Sequence, residues 1–259
     1  MTAGEPRLSI VLPCYNEAPS LDALVERYDR ARENAGLPHE SFELILVDNG
    51  STDETAARLS GLSARYFWVR AVSLMPNAGY GGGLAAGLAA ARGAHVGFSH
   101  ADGQCDPSDA FRAFVLARER PATLVKGRRV GRAVGAWLFS RAFEATAFVF
   151  LRRWLTEVNA QPKIFPRDLL ARILPGAPVN FAFDLHVLLR ALESGYAIAM
   201  IPVRLSKREH GDSRWAFSPA SRLRQIAAVV RFLRSHHTGG GSNRAWRRTD
   251  ANGDGIIHK

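Results

Sequence analysis

The chain has 259 residues, 47% of them hydrophobic and 22% charged, with a mean hydropathy of -0.09. That balance excludes a disordered or collagen-like chain and supplies enough apolar surface for a core, in one large domain in preference to two. Lys and Arg number 34 against 24 Asp and Glu, a net charge of +10, which favours polyanionic partners: nucleic acid, anionic lipid headgroups or diphosphate-bearing small molecules.

Strand and helix patterns alternate through the first half. Leu8 to Pro13 is an apolar run closed by proline and reads as a buried strand. Leu21 to Ala35 has helical spacing at Leu21, Leu24, Val25 and Tyr28, with Ser20 as its N-cap. Phe42 to Val47 is a second strand, ended by Asp48-Asn-Gly, and Thr52 to Leu62 a second helix. A third strand over Phe67 to Leu74, a third helix over Gly83 to Arg92 and a fourth strand over His95 to Ser99 follow. Continuous apolar strands alternating with helices predict a parallel sheet covered on both faces, with ligands beyond the carboxyl ends of its strands.

The second half is less regular. Thr123 to Gly127 reads as a strand, Ala133 to Leu155 as a long helix, Phe183 to Glu193 as another helix and Ala197 to Val203 as a strand. Pro219 to Arg234 reads as a basic amphipathic helix, with Leu223, Ile226, Val230 and Leu233 on one face and Arg222 interrupting it. These elements place one domain over residues 1–234. Thr238 to Ser242 is a flexible linker inside a tail, 235–259, that is expected to be disordered. The tail carries the opening spacing of a calcium loop at Asp250 but stops before the closing glutamate.

Cys14 and Cys105 lie far apart without metal-ligand spacing and read as reduced thiols in the cytosol. Met1 to Arg7 lacks the pattern of a signal peptide, and no apolar stretch reaches the roughly 18–20 residues of a membrane span. Ala133 to Leu151 comes nearest but carries Arg141 and Glu144.

The strand-end loops carry the chemistry. Asp48 and Asp102 suit a nucleotide and a metal: one carboxylate accepts from a ribose or base, and the other, with Gln104 beside it, holds Mg²⁺ or Mn²⁺ on diphosphate oxygens. Either Asp also fits a turn or cap. Asn77-Ala-Gly-Tyr-Gly-Gly-Gly83 follows the third strand, the wrong place for a dinucleotide fingerprint, so close approach to a ligand or tight helix packing explains its glycines.

Four runs, Leu8-Ser-Ile-Val-Leu-Pro-Cys-Tyr-Asn-Glu17, Ile45-Leu-Val-Asp-Asn-Gly-Ser-Thr-Asp53, Asn77-x-Gly79 and Ala101-Asp-x-Gln-x-Asp-Pro107, resemble the family 2 glycosyltransferases. The nearest branch holds the dolichyl- and undecaprenyl-phosphate sugar synthases, and the resemblance extends as far as Arg234. It implies a GT-A fold, an α/β domain with a mostly parallel central sheet flanked by helices. It also implies a nucleotide-diphosphate sugar donor, UDP- or GDP-linked, a divalent cation (Mg²⁺ or Mn²⁺) and inversion at the anomeric carbon.

Carried over by position, Pro13, Tyr15, Glu17, Asp48, Asn77, Gly79 and Ala101 line the nucleotide-sugar site, and Asp102 and Gln104 hold the metal. The first position of the Asp-x-Asp motif is His100, a departure from the family pattern. Asn159 to Phe165 resembles the acceptor-side segment, with Lys163 at the donor, and His210 to Trp215 resembles a loop that closes over the donor, bringing His210 and Arg214. Asp184 resembles the acidic position that acts as base or orients the acceptor; it also fits a helix N-terminus. Lys126, Arg128 and Arg129 neutralise the leaving diphosphate or form a solvated basic patch.

The expected enzyme is therefore an inverting hexosyltransferase. If the acceptor is a hydroxyl, Asp184 is its general base; if it is a polyprenyl phosphate, the nucleophile is already ionised and Asp184 only orients groups. The basic helix and net charge predict work at the cytoplasmic face of an anionic membrane without crossing it. Packing of that helix face on the domain is the competing expectation. Two other functions compete: a nucleotide-sugar-binding protein without turnover, suggested by His100, and a nucleic-acid-binding protein, which leaves the strand-end carboxylates unexplained.

Overall fold

The computed structural model describes residues 5–131, 144, 148, 155–206 and 227–235. In chain order these form β1 (Leu8–Cys14), α1 (Leu21–Asn34), β2 (Phe42–Asn49), α2 (Thr55–Arg65), β3 (Val69–Leu74), α3 (Gly79–Ala90), β4 (His95–Phe98), α4 (Pro107–Glu119), β5 (Thr123–Arg129), β6 (Lys163–Pro166), α5 (Leu170–Ile173), α6 (Phe183–Glu193) and β7 (Ala197–Val203). The sheet order is β3-β2-β1-β4-β6-β5-β7. Pairings among β1, β2, β3 and β4 and between β5 and β7 are parallel; β6 alone runs against its neighbours β4 and β5.

The continuous apolar strands are explained by burial on both faces. In β1 and β2 the side chains alternate between two cores: Leu8, Ile10, Leu12, Phe42, Leu44 and Leu46 pack under α1, α2 and α4. Val11, Ile45 and Val47 pack under α3 and α6. A period of two along each strand divides the run between the two layers.

Several local expectations change. Ser20 stands at the start of α1 but makes no capping bond; its hydroxyl donates instead to the Glu17 carbonyl at 3.0 Å. Helix α4 is additional to the expected elements, and its start is built by Asp106, whose carboxylate accepts from the Ser108 N–H at 2.9 Å ahead of Pro107. Strand β6 is additional too. The expected helix over Ala133 to Leu155 falls mostly outside the described residues, although Glu144 and Phe148 are helical and Leu155 is not.

Residues 227–235 are helical, and the rest of the expected basic helix, 219–226, lies outside the described residues. Val229 and Leu233 are buried in the core beneath α6, and the Phe232 ring lies 5.8 Å from His186. The apolar face of this stretch covers the domain and is not presented outward. Among the described residues no helix is long and apolar enough to cross a membrane.

Candidate active site

Six strands end at one edge of the sheet, and the antiparallel β6 begins there, with Lys163 opposite both Phe98 of β4 and Lys126 of β5. The loops after β1 and β2 are fastened into one wall. Asn16 adopts a left-handed φ of 56°, tolerable for asparagine, and donates its N–H to Ser51 Oγ at 3.1 Å while its side-chain oxygen accepts from the Thr52 N–H at 2.8 Å. The Glu17 N–H donates to Thr55 Oγ1 at 2.9 Å. Pro13, Tyr15 and Glu17 are half-buried along this wall. Asp48 is buried, and its Oδ1 accepts from the Ser51 N–H at 3.0 Å, so it shapes the turn as well as standing at the strand end.

The third loop is set by the amide of Asn49, the residue after Asp48 in the second run. Asn49 accepts from the Ala78 N–H and donates to the Gly79 carbonyl, both at 2.9 Å, while Asn77 Oδ1 accepts from the Gly79 N–H at 2.8 Å. The glycines follow from packing on protein: a Cβ on Gly81 would stand 2.0 Å from the Pro178 carbonyl oxygen, and one on Gly87 2.3 Å from Val11 Cγ1. Gly79 also has a φ of 77°.

The fourth loop carries His100, Ala101, Asp102 and Gln104. Asp102 Oδ1 accepts from the Gln104 N–H at 3.2 Å, and Arg27 of α1 reaches beneath the loop to the Gly103 carbonyl at 3.0 Å. The Gln104 side chain donates to the Ser206 carbonyl at 3.3 Å, and the Ser206 N–H returns to the Gln104 backbone carbonyl at 2.9 Å. Burial holds His100 below its ordinary pKa, opposed by Asp102 and Asp184, so its imidazole is neutral at pH 7. Among the described residues no three His, Cys, Asp or Glu side chains converge as a metal cage.

Beneath this loop lies a buried polar network. Lys163, fully buried, is ion-paired with Asp184 and donates to the Ala160 carbonyl at 3.1 Å, with its ammonium 5.3 Å from the Phe98 ring centre. Lys163 thus serves the buried pair with Asp184 and has no exposed surface at the strand ends. Burial lowers its pKa, with Asp184 pulling the other way. Asp184 is only 1% exposed, and its Oδ1 also accepts from Gln161 Nε2 at 2.8 Å. Gln161 in turn donates to the Tyr80 hydroxyl at 3.3 Å, and burial, with the charge of Asp184 beside it, pushes the Tyr80 phenol well up. Asp184 Oδ1 thus receives two donors, Lys163 and Gln161.

The basic cluster of β5 divides. Lys126 is buried within the strand and donates to the carbonyls of Thr156 and Glu157 at 2.8 and 2.7 Å, so it straps a loop and does not face a diphosphate. Burial first, then Lys163, pulls its pKa down to about 7. Arg129 is bound to Glu157 at 2.6 Å, whereas Arg128 is exposed. Cys14 and Cys105 are free, buried thiols, and burial raises the pKa of both.

The structure thus brings His100, Asp102, Gln104, Arg129 and Asp184 to one end of the sheet beside the loops of Tyr15, Asp48 and Asn77. His210 and Arg214 lie outside the described residues. Tyr80, Gln161 and Asn49, which lie inside the quoted runs without being picked out there, and Arg27, which lies outside them, complete the site.

Comparison with known proteins gives a consistent result. Residues 9–174 match the family model of glycosyl transferase family 2. A dodecaprenyl-phosphate galacturonate synthase of Rhizobium johnstonii is 30% identical over 238 residues, 88% of this chain and 67% of its own length. A dolichyl-phosphate beta-glucosyltransferase of Drosophila melanogaster is 26% identical, over 76% of this chain and 66% of its own length. This chain therefore spans about two thirds of these curated relatives. Among solved structures, glucosyl-3-phosphoglycerate synthase of Mycobacterium tuberculosis, in complex with Mn²⁺, UDP and glucosyl-3-phosphoglycerate, superposes with a TM-score of 0.65 at 23% identity, covering 92% of this chain and 81% of that one.

Proposed function

Starting from the glycosyl transferase family 2, to which this chain belongs, we propose that the protein moves a sugar, with inversion, from a nucleoside-diphosphate sugar to a polyprenyl phosphate at the cytoplasmic face of a membrane. The fold is the GT-A fold of that family, and the enzyme class is glycosyltransferase. The choice of acceptor rests on Asp184. A general base needs an accessible carboxylate with a lone pair for the incoming proton. Here the carboxylate is 1% exposed and its Oδ1 is held by Lys163 and Gln161. An acceptor that arrives ionised needs no base, and a lipid phosphate is such an acceptor. The names of the Rhizobium and Drosophila relatives describe polyprenyl-phosphate chemistry, which supports the same choice.

In this reading the fastened loops of Asn16, Ser51 and Thr52 form the nucleotide wall, with Pro13, Tyr15, Glu17, Asp48 and Asn77 along it. Asp102 and the side-chain carbonyl oxygen of Gln104 are the protein's metal ligands. Hard oxygen donors of this kind would suit Mg²⁺ or Mn²⁺. When bound, the cation supplies neutralising charge to the departing diphosphate. Exposed Arg128 adds a second positive charge at that edge. His100 stands at the first position of the Asp-x-Asp motif, so Asp102 and Gln104 are the oxygen donors of this loop. Association with anionic lipid rests on the net charge of +10, since the apolar face at 229 and 233 packs inward.

The test is transfer itself. Wild-type protein, Mg²⁺ or Mn²⁺, a set of UDP- and GDP-sugars and a short polyprenyl phosphate should give a glycosylated lipid by mass spectrometry. Asp102→Ala should fold, bind donor without metal dependence and form no product. Metal-stimulated turnover at the wild-type rate in that variant would remove Asp102 from the mechanism.

A further inference from the structure

The loop of Asp102 and Gln104 is tied to a segment that is distant in sequence. Leaving β7, the chain passes through Arg204 and Leu205 to Ser206, which meets Gln104 twice. The Ser206 N–H donates to the Gln104 backbone carbonyl at 2.9 Å, and the Ser206 carbonyl accepts from Gln104 Nε2 at 3.3 Å. Both bonds use the backbone of residue 206, so no side chain there announces them. Ser206 also stands beyond residues 9–174, the stretch that matches the family model. A second brace comes from α1, where Arg27 donates to the Gly103 carbonyl.

The side-chain bond decides which end of the Gln104 amide is left for a ligand. Only the nitrogen can donate to a carbonyl, so Nε2 turns to Ser206 and Oε1 turns away from it. A flipped amide would set two oxygens against each other and lose the bond. Oxygen is the atom that a hard cation needs, and the neighbouring carboxylate of Asp102, whose Oδ1 accepts from the Gln104 N–H, supplies more of it. The residues present therefore fit Mg²⁺ or Mn²⁺. We infer that the backbone of Ser206 is a positioning group for the metal: it orients the Gln104 amide and holds its rotors before the cation arrives. This role rests on the reading of Asp102 and Gln104 as metal ligands and adds the partner that prepares the second of them. Outer partners that orient a ligand are worth roughly 10–100-fold in metal affinity, and a single bond to a half-buried side chain belongs at the lower end.

The experiment measures binding of UDP and GDP by calorimetry with and without Mn²⁺, and the ratio of the two affinities reports the metal. Wild type should bind one diphosphate more tightly when Mn²⁺ is present. Ser206→Pro deletes the N–H and should lower that ratio roughly tenfold, with metal-free binding changed by less than about twofold. The conservative Ser206→Ala keeps both backbone groups and should restore the ratio. An unchanged ratio in Ser206→Pro, or a loss shared equally with metal-free binding, would overturn the inference and leave the metal ligands standing. A measurement on wild type serves even if the proline variant does not fold. Adding Mn²⁺ to the diphosphate complex should slow hydrogen exchange at the Ser206 amide by roughly threefold or more, because a bridge that favours the metal is favoured by it. Exchange that Mn²⁺ leaves unchanged would also overturn the inference. Wild type whose diphosphate binding ignores Mn²⁺ would overturn the metal reading and this inference with it.

Discussion

Replacing Asp184 by Asn separates a base from a structural anchor. The carboxylate and Lys163 are both buried, at 1% and 0% exposure, and form an ion pair reinforced by Gln161. Asn keeps the shape and one acceptor oxygen but removes the charge, leaving a buried ammonium whose remaining partner is the Ala160 carbonyl. Breaking one half of a buried pair typically costs about 3–5 kcal/mol. For a chain of this size that corresponds to a melting temperature lower by roughly 6–20 °C. A second variant, Lys163→Met with Asp184→Leu, replaces both charges by apolar groups and should recover most of the loss. The assay is urea unfolding at pH 7 together with turnover on polyprenyl phosphate well below the lowered melting point. Turnover of the folded Asn variant should fall by less than about tenfold, since a base would be worth roughly 10²–10⁴-fold. A loss of that larger size with stability reduced by less than about 1 kcal/mol would refute the anchor and make Asp184 the base.

Three further outcomes follow from the rest of the molecule. At the opposite end of the sheet, burial raises the pKa of Glu43, but Ser9, Arg70 and Arg92 more than offset it, so the carboxyl lies below its usual value. Its stabilisation is therefore present above the ordinary glutamate range and lost as pH falls through the folded value; Glu43→Gln should cost about 2 kcal/mol at pH 7 and little in strong acid, by urea unfolding at both pH values. Lys126 has the reverse sign: with its pKa near 7 in the fold, the unfolded chain binds the extra proton up to about pH 10.4, so wild type should gain stability over Lys126→Met as pH rises from 7 to 9. A flat difference would contradict the depressed value. Gly81→Ala, whose Cβ would meet the Pro178 carbonyl at 2.0 Å, should destabilise by about 1–3 kcal/mol, while Gly61→Ala in α2, with nothing within 4 Å, should stabilise by up to about 1 kcal/mol in thermal melts.

Where burial on both sheet faces determines an element, the chain announces it. The apolar runs of β1 and β2 and the periodicity of α6 lie in the sequence, and Phe183–Glu193 and Ala197–Val203 have the expected bounds. Helix α4 is legible as well, through Asp106-Pro107 and the spacing of Phe111 and Phe114, although Asp106-Pro107 also ends a loop motif and one pair of residues serves both. Strand β6 is not: its four residues begin with a lysine and end with a proline, and only its pairing with β4 and β5 makes it a strand. The same limit governs the site. Loop carboxylates such as Asp102 are visible because a strand end places them, whereas the state of Asp184 is set by Lys163, 21 residues away in sequence, through an antiparallel register. The basic helix shows a third kind of limit. Its periodicity indicates an apolar face but not which surface covers it, and the buried pair is Val229 and Leu233 instead of Val230 and Leu233.

The central claim is that the nucleophile reaches this site already charged. Polyprenyl phosphate and the matching polyprenol, offered side by side to the wild-type protein with its preferred nucleotide sugar and Mg²⁺, test it in one measurement. The expected result is glycosylation of the phosphate with inverted anomeric configuration and no product from the alcohol. Glycosylation of the alcohol at a comparable rate would mean that a base operates at the sheet edge and would contradict the anchoring role of Asp184.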